Sequence, residues 1–354
     1  MRALRTEMTQ RSQINRQWLL AERPSGEPTS KTLRLAEIPV VAAGDGQLLL
    51  RTAFLSLDPY MRGRMSDAPS YAAPVAIGDV MVGGTVSRVV ESHLPAFAKG
   101  DWVVSYSGWQ DYAVSDGRGV TNLGPSPAHP SWALGVLGMP GFTAWAGLTL
   151  IGQPKAGETI AVAAATGPVG ATVGQIGKLL GCRVVGIAGG AEKCGFAVDT
   201  LGFDACLDHR EPDLPGRLAT AAPSGIDVYF ENVGGDVFDA VLPLLNTRAR
   251  IPLCGLVSQY NSTHLPAGPD RTGWLMGQLL RKRITVQGFI VFDDFGPRYP
   301  EFAVAMGEWI AQGKIVYRED VVDGLENAPE AFIGMLRGDN FGKRVIRVGD
   351  SDVS

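Results

Sequence analysis

Along residues 16–126 the hydrophobic and polar positions follow a pattern of short strands and turns. Gln47 to Leu57 is β-rich, Asp79 to Val90 reads as two short strands around Gly83-Gly84, and Asp101 to Val114 is a further β-rich segment. Gly and Pro punctuate every interval, the spacing of a small β-rich domain. From about Gly157 the period changes. Thr159 to Ala165 is a β run, and Val169, Thr172, Val173, Ile176 and Leu180 then recur at the spacing of one helix face. Arg183 to Ala188 is a second apolar strand and Ala191 to Leu201 a helix. Ala205 to Leu207, Asp227 to Phe230 and Arg250 to Cys254 supply more strands, with helical patterns between them. Strands alternating with helices predict βαβ units and a parallel sheet. Last come a helix-like stretch, Pro300 to Gln312, the run Ile315 to Val321, and a strand-like tail, Lys343 to Val348. The tail is too small to fold alone and is expected to return to the first domain.

Composition narrows the function classes. At 354 residues and 19% charged, with a net charge of −4, the chain suits a two-domain soluble enzyme and carries no basic footprint for nucleic acid or an anionic membrane. Apolar stretches are broken by glycine well short of a membrane span. The segment Met1 to Arg16 is polar, has no apolar leader core and reads as a frayed extension; a cytoplasmic protein with reduced thiols is expected. Cys182, Cys194, Cys206 and Cys254 form no C-x-x-C pair, and the four histidines are scattered, so no metal site is expected. Glycine is in excess, 45 residues, about twice the usual share of roughly 7%, and points to tight turns and close approach of backbone to ligand.

The sharpest motif is Ala165-x-Gly167-x-x-Gly170, which joins the first strand of the α/β region to its first helix. Small residues there admit a pyrophosphate to the backbone, and the helix N-terminus offers unpaired N–H groups and a positive dipole end. An NAD site would place Asp or Glu at the end of the second strand. This chain has Gly189-Gly190, then Lys193 in the next helical turn. A missing carboxylate plus a cation fits a ribose 2′-phosphate, hence NADPH; a solvated surface lysine is the other reading of Lys193.

With these features stand Leu55-Ser-Leu-Asp-Pro-Tyr-Met-Arg62, Gly138-Met-Pro-Gly-Phe-Thr143, Ala163-Ala-Ala-Thr-Gly-Pro-Val-Gly170 and Gly189-Gly-Ala-Glu-Lys193. Glu231-Asn-Val-Gly-Gly235, Cys254-Gly-Leu-Val-Ser-Gln-Tyr-Asn261 and Gly338-Asp-Asn-Phe-Gly-Lys343 complete the set. In this order they resemble the zinc-free branch of the medium-chain dehydrogenase/reductase superfamily. Within it the resemblance is to the leukotriene and prostaglandin reductase group of double-bond reductases, and it runs from Asn15 to Val348. The fold implied is α/β: a Rossmann doubly wound parallel sheet (residues 131–299) with a GroES-like β-rich catalytic domain built from residues 16–130 and 300–354, after a flexible extension, residues 1–15. A homodimer through the Rossmann sheet edge is also implied, with the β-rich run Lys282 to Val291 as that edge.

The activity implied is metal-free hydride transfer from NADPH to the β-carbon of an α,β-unsaturated ketone or aldehyde, from 2-alkenals to bulky aryl enones such as curcumin. Such chemistry needs an acidic donor near the carbonyl oxygen and a dry apolar slot. By motif match Tyr260 is the donor, whether it yields its proton or only polarises the carbonyl. Met139 and Thr143 are expected beside the nicotinamide, Thr166, Gly167, Val169 and Gly170 at the pyrophosphate, and Gly189 and Lys193 at the 2′-phosphate. Asn232, Gly234 and Cys254 are expected along the ribose edge, with Asn340 reaching the nicotinamide half. His209 stands where the family often has a tyrosine on the adenosine phosphate, with Arg210 beside it. Tyr60, Tyr71, Phe289 and Phe292 are expected walls of the substrate slot, and Leu265 to Gly273 a mobile loop near it. Two other readings stay open: a quinone oxidoreductase on the same scaffold, and an NADPH-binding protein without turnover.

Overall fold

A computed structural model describes residues 13–264 and 268–349. Most of the expected N-terminal extension lies outside these residues, but its end does not fray. Strand β1 (Ile14–Leu20) pairs antiparallel with β2 (Leu33–Pro39). Asn15 fixes the strand from inside: its amide donates to the Tyr112 carbonyl at 2.9 Å and accepts from the Tyr112 N–H at 2.9 Å. A polar composition had hidden a strand whose polar groups are satisfied across the chain.

Then follow β3 (Leu48–Ser56), β4 (Thr85–Ser92), β5 (Trp102–Ser105), β6 (Tyr112–Ser115) and β7 (Thr121–Gly124). The pair of strands expected across Gly83-Gly84 is one strand, β4, preceded by a single bridge from Val80 to Leu19. At Gly83 a Cβ would lie 2.9 Å from Leu55 Cδ1 and 3.0 Å from Trp109 Cδ1, so the glycine lets the chain pass close over the core.

The α/β region carries β8 (Thr159–Ala163), β9 (Arg183–Ala188), β10 (Ala205–Asp208), β11 (Ile226–Phe230), β12 (Leu245–Leu253) and β13 (Thr285–Gly288). All are parallel, in the order β10-β9-β8-β11-β12-β13. Every residue of β8 is buried, because helices cover both faces of the sheet. The helix Pro168–Leu179 lies on it at glycine distance. A Cβ at Gly174 would sit 1.9 Å from Phe203 Cζ, and one at Gly177 would sit 2.7 Å from Ile160 Cδ1. The helix Tyr299–Ala311 also packs on this side, with Phe302 and Met306 buried against Phe142 and Trp145.

Beyond that helix the chain crosses back as β14 (Glu319–Asp323) and β15 (Lys343–Arg347). Strand β15 pairs antiparallel with β3, so the last strand completes a sheet begun nearly three hundred residues earlier, ordered β14-β15-β3-β4-β5-β7. Among the described residues no helix is long and apolar enough to cross a membrane.

Candidate active site

A cavity of about 1110 Å³ opens between the β-rich side and the C-terminal ends of the parallel strands, where α/β sheets bind ligands at the reversal of strand order. Every site residue expected from the sequence lines it, from Lys193 and His209 through Gly167 and Asn232 to Tyr260, Tyr60 and Phe292.

Its nucleotide end is built by the turn after β8. Ala164 takes a left-handed φ of 53°, and the Gly167 N–H donates to the Ala164 carbonyl at 2.9 Å, reversing the chain into the helix. A Cβ at Gly170 would lie 2.3 Å from that carbonyl oxygen. No side chain caps this helix start, so its first N–H groups face the cavity available for an anion. Across the cleft, Glu231 shapes the opposite turn. Its Oε1 accepts from Val233 N–H at 2.7 Å, Gly234 N–H at 2.8 Å and the Tyr229 hydroxyl at 3.1 Å. That turn puts Gly234 at a φ of 75° and leaves Asn232 with its amide on the Ala163 carbonyl at 2.9 Å.

Cations crowd the far end. Burial and neighbouring Arg210 both pull Lys193 below the ordinary lysine range, and Arg344 adds to the same effect. Burial and Arg210 likewise lower His209. Arg344 Nε is buried with no hydrogen-bond partner. An anion placed among these groups relieves their repulsion and adds an acceptor to a guanidinium that pairs with Asp320 at 3.1 Å through Nη2. The residues therefore fit a phosphorylated ribose. Lys193 Nζ donates to the Gly338 carbonyl at 2.6 Å, which ties this end to the loop carrying Asn340.

At the other end Tyr260 follows a short turn, its N–H on the Val257 carbonyl at 3.3 Å. Burial raises its phenol above the ordinary value of 10, with the Leu256 backbone opposing. It is therefore a hydroxyl donor across neutral pH. Burial also pushes Tyr60 well up and carries Tyr106 up to about 12, Asp58 contributing to both. The Cys254 thiol is pushed up to about 12 by burial and by Glu231, so it is no thiolate. The Thr143 hydroxyl donates to the Met139 carbonyl at 2.8 Å, which leaves its oxygen able to accept a carboxamide N–H. Asn340 donates to the Gly342 carbonyl at 2.8 Å.

The aromatic walls divide by burial. Phe289 is only 7% exposed and packs edge-on against Phe230, anchoring the wall in the core. Tyr71 and Phe292, 55% and 44% exposed, stand at the mouth. Arg64 lies over the rings of both Tyr60 and Tyr71, at 5.9 and 5.3 Å. Residues 265–267 of the expected loop lie outside the described residues, and Thr272 and Gly273 already belong to the helix Thr272–Lys282. Sequence reasoning missed Tyr106, Arg64, Arg344 and the buried pair Asp58–Lys343, all on the cavity lining. For Lys343 a signal existed. It shares a strand face with Val345, and a charge on the apolar face of a strand announces a buried partner.

Two family descriptions match the chain: "N-terminal domain of oxidoreductase" over residues 16–123 and "Zinc-binding dehydrogenase" over residues 168–309. The chain is 65% identical to the NADPH-dependent curcumin reductase of Escherichia coli K12 over 345 residues, 98% of this chain and 100% of that protein. It is 40% identical to prostaglandin reductase 1 of Mus musculus, over 93% of this chain and 98% of the mouse protein. The chain belongs to the medium-chain dehydrogenase/reductase superfamily, in its prostaglandin and curcumin reductase group. A solved member of this group, CurA of Vibrio vulnificus in complex with NADPH, superimposes with a TM-score of 0.92 at 63% identity, covering 95% of this chain and 99% of that one. Although one matching description of this superfamily names zinc, no three His, Cys, Asp or Glu side chains come together as a metal site among the described residues.

Proposed function

We propose that this reductase uses NADPH to reduce the C=C bond of α,β-unsaturated ketones and aldehydes. The observation that carries the reading is the convergence in one cavity of a phosphate-binding turn, a cluster of cations and a protonated tyrosine beside aromatic walls. When bound, NADPH supplies the hydride that the β-carbon takes. The helix start at Gly167 to Gly170, with Thr166 and Val169, holds the pyrophosphate, and Lys193, His209 and Gly189 hold the 2′-phosphate. Met139, Thr143, Asn232, Gly234, Cys254 and Asn340 orient the nicotinamide half.

Tyr260 donates a hydrogen bond to the substrate carbonyl and so stabilises the charge that builds on its oxygen. Its raised pKa suits a group that stays protonated while it polarises. Phe289, Phe292, Tyr60 and Tyr71 hold the alkene and exclude water, which strengthens that hydrogen bond. Spacious walls of this kind accept aryl enones as well as short 2-alkenals.

The pairing of β15 with β3 supports a catalytic portion built from residues 16–130 and the end of the chain, with the cofactor portion at residues 131–299. The helix Tyr299–Ala311, which packs on Phe142 and Trp145, goes with the cofactor portion and not with the expected catalytic span 300–354. The protein works in the cytoplasm, as its four free cysteines favour. It forms a homodimer through β13. That strand is the exposed edge of the parallel sheet, and Val286 on it, with Trp274, Met276 and Leu280 of the preceding helix, leaves apolar surface uncovered. A monomer mass in gel filtration removes the dimer.

The reading is tested by following NADPH oxidation against a short 2-alkenal, an aryl enone and a quinone, each repeated with Tyr260→Phe. Enone turnover weakened in the variant supports it; turnover on the quinone alone overturns it.

A further inference from the structure

The catalytic loop and the returning tail meet at a buried charge pair. Lys343 Nζ, on a side chain 1% exposed, donates to Asp58 Oδ1 at 2.6 Å and to the Leu57 carbonyl at 2.8 Å. The other Asp58 oxygen accepts from the Ser56 hydroxyl. Backbone reinforces the join, since the Leu57 N–H donates to the Arg344 carbonyl at 3.2 Å. Neither charge is needed to hold the sheet, whose strands already pair. A buried ion pair adds little net stability over an apolar pair of the same volume.

What the pair does fix is direction. The Asp58 carbonyl accepts from the Met61 N–H at 3.1 Å and so begins the helix Tyr60–Arg64, which aims Tyr60 into the cavity. On the other side Lys343 comes three residues after Asn340, and Gly342 between them takes a φ of 99°. A Cβ there would meet the Arg318 carbonyl oxygen at 2.4 Å, so the tail passes the residue before β14 at a distance only glycine allows. One ammonium group thus sets the separation between a wall of the acceptor slot and the loop that orients the nicotinamide half.

We propose that the Lys343–Asp58 pair is a positioning device for hydride transfer, holding the acceptor side and the cofactor side of the cavity at reacting distance. This rests on the enone-reductase reading above. Lys343 spends its ammonium on Asp58 and the Leu57 carbonyl, so the pair is assigned an effect through the loop and the tail that it joins. A misplacement of about 1 Å between reacting groups costs on the order of a hundredfold in rate, so a small shift at Asp58 is felt at the chemical step.

The test compares wild type, Lys343→Met, Lys343→Arg and the double variant Asp58→Leu with Lys343→Met. Melting temperature, kcat, KM for NADPH and the primary isotope effect with NADPH deuterated at nicotinamide C4 are read for each. Amide exchange across residues 58–64 is read as well. Lys343→Met should melt lower, lose about tenfold or more in kcat, keep its KM for NADPH within about threefold, and express a larger isotope effect. The double variant, which buries no unpaired charge, should regain the melting temperature without regaining kcat. Lys343→Arg should recover part of it. Exchange should quicken at Met61 and Arg62 in the double variant and stay unchanged in the parallel sheet.

A double variant with full kcat, an unchanged isotope effect and wild-type exchange at 58–64 overturns the proposal. Should Lys343→Met fail to fold, the double variant and Lys343→Arg carry the comparison. A wild type inert toward enones defeats the functional reading instead. The exchange data then decide whether the pair orders the loop.

Discussion

Arg62 Nε donates to Asn261 Oδ1 at 3.0 Å, joining the residue two past Tyr60 to the residue next to Tyr260 across 199 positions of sequence. Arg62 is buried, and its guanidinium also donates to the carbonyls of Gly26 at 2.7 Å and Pro24 at 3.2 Å. The segments carrying the two tyrosines proposed to face the acceptor are thereby joined by one side chain that is not on the cavity lining.

Removing that side chain should therefore cost both stability and rate. Arg62→Met leaves three acceptors without a donor and should destabilise by about 2–4 kcal/mol, with a fall in kcat on enones. Asn261→Ala, which spares the two carbonyl contacts, should cost about 1 kcal/mol. Denaturant unfolding paired with turnover measurements separates the two.

Lys193 should select the cofactor. Lys193→Ala is expected to raise the KM for NADPH more than about tenfold while sparing NADH, a loss of about 1.5–3 kcal/mol for one charged contact. Because the attraction is between charges near the surface, added salt should weaken NADPH binding more in wild type than in the variant. Titration of both cofactors at two salt concentrations checks this.

The pH profile follows from the raised tyrosine. A phenol whose folded pKa lies above 10 keeps its proton below that value and loses it only as pH rises through the folded pKa. The donor role of Tyr260 should therefore be constant through neutral pH and decline only on the alkaline side of 10. A profile of kcat for the chemical step that falls in the neutral range, and becomes flat in Tyr260→Phe, contradicts the assignment.

Gly170 should tolerate no side chain. The Cβ of Gly170→Ala meets the Ala164 carbonyl oxygen at 2.3 Å, and that oxygen is held by the Gly167 N–H. The turn must open, so the variant should lose about 2 kcal/mol or more and bind NADPH measurably worse. Thermal unfolding with and without NADPH reads both effects.

The parallel sheet was legible because its central strands β8 and β9 are nearly continuous apolar runs and its first helix keeps a clean period from Val169 to Ile176. The nucleotide end was legible for a related reason: Gly167, Gly170 and Gly189 mark where backbone must approach closely. The substrate end was read only through resemblance, since aromatic residues such as Phe289 serve core and slot alike. What local pattern could not reveal were relations across the chain. Ile14 to Arg16 looked frayed because the partners of Asn15 lie about a hundred residues away. Lys343 carried a signal, a charge on an apolar strand face, but its partner Asp58 is 285 positions distant and no local pattern names it.

The most direct measurement of the central claim traces the hydride. The protein is given an aryl enone and NADPH deuterated at nicotinamide C4, and the product is read by NMR. The account predicts a saturated ketone with deuterium on the β-carbon, formed in step with NADPH oxidation and slowed in Tyr260→Phe. NADPH consumed with no deuterium at that carbon, or a reduced carbonyl with the double bond intact, would contradict it.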